Sequence, residues 1–186
     1  SCFRRTGQGR CLESEVYKMT KNVLLCGVGG QGTVLASRLI ALAAMEKGME
    51  ARGAETIGMA QRGGSVVTFV RYGEKVAEPI VEEGQADVLI AFERLEALRY
   101  AHFLKKDGVL IVNDWRIDPI TVVTGAAEYP ENIIDELGKK HKVYAIDAMK
   151  EALALGNSKT FNVIVLGAAA KHMDFAKEDW LKVIEK

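Results

Sequence analysis

Apolar residues do not keep one spacing along this chain; short unbroken runs alternate with longer segments of helical period. The run from Asn22 to Val28 (NVLLCGV) ends in glycines, and so short and continuous a stretch suits a strand buried on both faces. From Gln31 to Lys47 the segment is rich in Ala and Leu. Val34, Leu39, Leu42 and Met45 fall near helical spacing and Gly48 stands where a C-terminal cap belongs, which predicts a long helix packed on a sheet. Glu50 to Thr56 reads as a second short strand. Ile57 to Gly64 (IGMAQRGG) holds too many glycines and polar groups for regular structure and reads as a loop. Ser65 to Arg71 (SVVTFVR) is β-branched and aromatic. With Tyr72-Gly73 and a further run ending at Pro79, it predicts a strand and a hairpin-like return, a candidate for antiparallel pairing.

The alternation continues to the C-terminus. Asp87 to Phe92 (DVLIAF) predicts a buried strand leading through Glu93 into a helix over Leu95 to Phe103, and Val109 to Asn113 another strand. Weaker strand signals lie around Thr121 to Thr124 and Val143 to Ile146, separated by a helix over Pro130 to Lys140. Further helices are predicted over Asp147 to Leu155, Thr160 to His172 and Lys177 to Glu185. Strands alternating with helices imply parallel pairing, right-handed crossovers and helices on both faces of one sheet. The expected class is α/β: a three-layer Rossmann-like domain with a mostly parallel sheet.

Length and composition narrow the role. At 186 residues one compact domain is the default, assigned here to 21–186. Residues 1–20 are rich in Arg, Gly and Ser, carry no apolar period and lack the hydrophobic region of a secretory signal. They read as a poorly ordered native tail or, since Met19 directly precedes a strand, as an upstream extension or a remnant of expression. With 25 basic and 25 acidic residues, the charge balance calls for neither nucleic acid nor an anionic membrane. No apolar run approaches the roughly 20 residues that span a bilayer. Cys2, Cys11 and Cys26 match neither a disulfide framework nor the spacing of an iron–sulfur cluster or zinc site. A cytoplasmic chain with no metal of its own is expected.

The candidate chemistry lies in two glycine-rich loops. Gly27-Val28-Gly29-Gly30-Gln31-Gly32 joins the first strand to the first helix, and Gly27, Gly29 and Gly32 satisfy the GxGxxG spacing. Glycines there permit positive φ and close backbone approach, while unpaired N–H groups and the helix dipole favour a phosphate. The pattern alone leaves open a free-standing NAD(P)-binding enzyme, a nucleotide-sensing module without catalysis, and tight helix–strand packing with no ligand at all. Against NAD, the acid expected about 20 residues on has only Glu50, too early, and Glu55, which runs into the next loop, as candidates. The second loop, Glu55 to Val66, carries Gln61-Arg62-Gly63-Gly64, with Arg71 farther on. An Arg flanked by glycines offers a planar donor fork to phosphate or carboxylate, although a solvated Arg in a tight turn gives the same composition. In an open α/β sheet both loops should emerge at carboxyl strand ends and share one crevice.

Taken together, GVGGQG after the first strand and ETIGMAQRGGSVVTFVR resemble the gamma-type subunit or domain of the 2-oxoacid:ferredoxin oxidoreductases. The likeness runs from about Lys21 to the C-terminus and includes Ala91 to Arg99 (AFERLEALR) and Asn162 to Ala168 (NVIVLGA). The GMAQRGG form of the second loop looks like the small subunit of the indolepyruvate-specific members. What the resemblance implies is a chain inactive alone, within an enzyme that converts an aryl pyruvate to acyl-coenzyme A, CO₂ and reduced ferredoxin. Thiamine diphosphate, magnesium and iron–sulfur clusters are then expected on a larger partner subunit, with coenzyme A as co-substrate and ferredoxin reached through the complex. Gly27, Gly29, Gly30, Gln31 and Gly32 are the expected phosphate cradle, and Gln61, Arg62, Gly63 and Gly64 the expected closure of the cavity. Glu93, Glu96 and Asn113-Asp114 end or follow strands and read either as crevice wall or as helix-start and strand-end residues. His102, His141 and His172 have no partner at metal spacing, and Cys26 reads as a small buried hydrophobe. An obligate subunit should also expose an apolar patch.

Overall fold

The computed structural model describes residues 20–56 and 63–185. Its strands are β1 (Thr20–Val28), β2 (Glu50–Thr56), β3 (Ser65–Gly73), β4 (Ala86–Ala91), β5 (Leu104–Asn113) and β6 (Lys142–Ile146). Its helices are α1 (Thr33–Glu46), α2 (Arg94–Tyr100), α3 (Ile120–Val123), α4 (Ile133–Gly138), α5 (Ala148–Ala154), α6 (Phe161–Ala170) and α7 (Lys177–Ile184). The strands form one six-stranded sheet in the order β2-β3-β1-β4-β5-β6. Pairings β1–β4, β4–β5 and β5–β6 are parallel, and β3 lies antiparallel between β1 and β2. The mostly parallel α/β class read from the sequence is what the chain adopts.

The reversal of β3 follows from chain length. A parallel return needs a crossover of roughly a dozen residues or more, and the segment 57–64 is too short for one. β3 therefore runs back beside β2, and β1 accepts it as an antiparallel neighbour. Because side chains alternate across a strand, β1 serves two cores at once. Val23 and Leu25 point to the layer of α1, α5, α6 and α7, whereas Leu24 and Cys26 point to the layer that holds Ala97 of α2 and Leu137 of α4. All four are fully buried, as are Leu89, Ile90, Leu110 and Ile111 of the neighbouring strands. That continuous apolar character is what a strand covered on both faces requires.

Two expectations are corrected. The strand signal around Thr121 to Thr124 is the short helix α3: Pro119 precedes its first residue with φ −62°, and the Thr124 hydroxyl donates to the Ile120 carbonyl at 2.9 Å. Its Ile120 and Val123 stand in solvent, because β6 already occupies the edge of β5 that a further strand would need. The run after Gly73 pairs as no strand; Glu50 Oε2 and Arg52 Nε instead tie it down, bonding the amide and the carbonyl of Val76. Among the described residues, no helix is long and apolar enough to cross a membrane.

Candidate functional site

All the strands except β3 end at one edge of the sheet, and β3 starts there. Val28, last in β1, pairs with Ser65, first in β3, so the two glycine-rich loops leave the sheet side by side. The Gly29 N–H donates to the Gly64 carbonyl at 2.8 Å, joining them directly. Gln61 and Arg62 lie outside the described residues. Gly63 and Gly64 lie within them, and Gly63 is exposed with φ +78°.

In the first loop, Gln31 is buried and folded back. Its Oε1 accepts from the Val28 N–H at 2.7 Å and its Nε2 donates to the Phe92 carbonyl at 3.0 Å, which staples the loop to the end of β4. Gly27 leaves room for this: a Cβ there would lie 2.7 Å from Gln31 Oε1 and 3.1 Å from Phe92 Cβ. Gly30 and Gly32 have φ of +100° and +83°, the left-handed region that favours glycine. Among the described residues the N–H groups of Gly30 and Gly32 meet no acceptor, and the first turn of α1 has neither a side-chain cap nor an acid. Unused amides at the positive end of a fourteen-residue helix fit an anion such as a phosphate.

The other wall of the crevice is acidic. Glu93 is fully buried at the start of α2; its Oε2 accepts from the Glu96 N–H at 3.0 Å, and its Oε1 from the Ile117 N–H at 3.2 Å and the Tyr129 hydroxyl at 2.5 Å. Burial, together with the Glu93 carboxylate, pushes the Tyr129 hydroxyl far above its ordinary range. Glu96 accepts a hydrogen bond from Ser65 and pairs with Arg99 at 3.2 Å. Burial raises the Glu96 carboxyl above the ordinary carboxylate value, against the lowering influence of Ser65 and Arg99. A pocket of about 110 Å³ opens here, lined by Val28, Gly63, Ser65, Glu93, Glu96 and Arg99 among others, so both loops and both acids border one space.

Other candidates take structural places. Asn113 is fully buried, donating to the Phe92 carbonyl at 3.2 Å and accepting from the Ala148 N–H at 3.1 Å, and Asp114 pairs with Arg94. Arg71 sits opposite Asn22, about 20 Å along β3 from the second loop, and binds Asn22 Oδ1 at 2.9 Å. Cys26 is buried within β1, and burial raises its thiol well above the usual value, with Glu96 and Glu93 adding to the effect. The sequence assigns no role to Tyr129 or to the Ser65 side chain, because their bonds to Glu93 and Glu96 join distant segments and leave no local signal.

Comparison with known proteins places this geometry in a lineage. The chain is 47% identical over 152 residues to indolepyruvate oxidoreductase subunit IorB of Archaeoglobus fulgidus, covering 80% of this chain and 75% of that protein. The same subunit of Thermococcus kodakarensis is 42% identical over 160 residues, covering 83% and 78%. The crystal structure of pyruvate oxidoreductase subunit PORC from Thermotoga maritima shares the fold, with a TM-score of 0.68 over 90% of this chain and 84% of that one at 24% identity. The model of the pyruvate ferredoxin/flavodoxin oxidoreductase family matches residues 22–186, and with two glycine-rich loops joined across one sheet edge, the chain belongs to that family.

Proposed function

We propose that this chain is the small subunit of a thiamine diphosphate-dependent 2-oxoacid:ferredoxin oxidoreductase that acts on aryl pyruvates, and that its paired loops complete the coenzyme A side of a cavity whose reactive groups a larger subunit supplies. The observation that carries the reading is the bond from the Gly29 N–H to the Gly64 carbonyl, which joins the phosphate-type loop to the end of the second glycine-rich loop. The 47% identity to a subunit named for indolepyruvate supports the substrate class. Thiamine diphosphate and iron–sulfur clusters supply decarboxylation and single-electron transfer when bound. Among the described residues the one cysteine, Cys26, is enclosed within the sheet and burial raises its thiol, a donor set that does not fit a cluster, so the clusters are assigned to the partner, and the family resemblance assigns thiamine diphosphate there too.

On this reading each residue of the chain has a restricted task. The Gly30 and Gly32 amides bind a phosphate oxygen, Gln31 fixes the loop's shape, and Glu93 and Glu96 hold α2 and the start of β3 as the crevice wall. By the family resemblance, Arg62 is assigned the donor fork toward the acyl intermediate. An apolar groove of about 420 Å³ between α6 and α7, lined by Leu166, Phe175, Trp180 and Leu181 among others, supports the expectation that part of this surface is covered in a complex.

The test is co-expression with the thiamine-bearing subunit, followed by assay of arylpyruvate- and coenzyme A-dependent reduction of ferredoxin or a viologen dye. Activity that needs both chains and falls at least tenfold with Arg62→Ala supports the reading. Tight NAD(H) binding or substrate reduction by the isolated chain, with no contribution to the complex, overturns it.

A further inference from the structure

The mouth of the first loop is closed from the side by α6, whose second residue is Asn162. Asn162 is a buried residue, 8% exposed. Asn162 Oδ1 accepts from the neighbouring Val163 N–H at 2.8 Å, which leaves Nδ2 as the outward end. That Nδ2 lies 2.2 Å from the position a Cβ on Gly32 would occupy, and among the described residues it donates to no acceptor. Nδ2 is not among the fully enclosed unpaired atoms, so this free donor reaches the surface at the loop mouth, where a ligand can accept its protons. Its surroundings point to an anion: the unused N–H groups of Gly30 and Gly32 and the opening turn of α1 are all donors. The oxygens of Glu93 and Glu96 are turned to Ile117, Tyr129 and Ser65 on the α2 side of the sheet, and Arg99 offsets the charge of Glu96.

We infer that the Asn162 side-chain amide is a ligand-binding group, donating with the Gly30 and Gly32 amides to a phosphate oxygen at the entrance of α1. The inference rests on the reading that this loop takes a phosphate-bearing ligand and adds the residue that selects it. It also gives a second reason for glycine at position 32: any side chain there would displace the amide from the anion. Coenzyme A, a nicotinamide dinucleotide and inorganic pyrophosphate share the recognised chemistry.

Calorimetric titration of the chain, and of its co-expressed complex, with each of these three compounds separates the sources. Asn162→Asp puts a carboxylate where a donor stood and is expected to weaken the bound compound at least tenfold; Asn162→Ala, which removes the donor without adding charge, weakens it several-fold. Circular dichroism confirms that each variant keeps the fold. In the complex both variants raise the half-saturating concentration of coenzyme A and leave that of the 2-oxoacid in place. Binding by the wild type that both variants retain in full overturns the role of Asn162 and leaves the loop reading standing. Failure of the wild-type chain and complex to bind any of the three overturns the loop reading, and this inference with it.

Discussion

Single residues decide the shape of the crevice, and they do so by different means. Gly30 and Gly32 both lie at positive φ, but a Cβ on Gly30 would meet nothing within 4 Å, whereas one on Gly32 would strike Asn162. Gly30→Ala should therefore cost only the left-handed backbone penalty, about 1–2 kcal/mol, and Gly32→Ala measurably more, which paired thermal melts will show. Equal losses would mean that Asn162 gives way freely. The glycines were legible because spacing and a following helix are local features. The back-folding of Gln31 was not, because its acceptor, the Phe92 carbonyl just after β4, lies sixty-one positions away.

At the scale of elements, a buried carboxylate holds separate pieces together. Glu93 starts α2 and also binds the Ile117 amide and the Tyr129 hydroxyl, so the connection between β5 and α4 depends on it. Glu93→Ala leaves these part-buried donors without a protein acceptor and is expected to lower stability by about 1–2 kcal/mol, read as a fall in the urea midpoint, with a smaller loss for Glu93→Gln. An unchanged midpoint would refute the role. The sequence signalled an acid at a helix start, and the structure makes it a helix cap as well, but its reach to residues 117 and 129 needed the fold. Element type followed the same rule. Strands β1, β4 and β5 were readable from unbroken apolar runs, whereas the β-branched stretch from Thr121 to Thr124 looked like a strand and falls in α3 and its C-cap, since no sheet edge is available to it. A local preference yields when its partner is missing.

For the whole molecule, Glu96 couples the site to stability. Burial raises its folded carboxyl above the ordinary value of 4.5, so the folded chain binds that proton more tightly than the unfolded one. Stability contributed at this position is therefore present at low pH and is lost as pH rises from the ordinary value through the raised one. Against wild type, Glu96→Gln should gain relative stability as pH increases through that window, measured as urea midpoints across a pH series. A gap that stays constant with pH would sink the idea. What the sequence determined alone was the α/β class, the buried central strands, the helix that follows the first of them, and two glycine-rich loops, because each is written in neighbouring residues through period, apolar continuity or permitted φ. Only the tertiary structure decided that β3 runs antiparallel between β1 and β2, that Arg71 is remote from the loop it follows, and that Gly29, Gly64, Glu93 and Asn162 gather at one edge. Those facts depend on which distant segments pair and on the length of chain between them, and no local pattern of side chains records that.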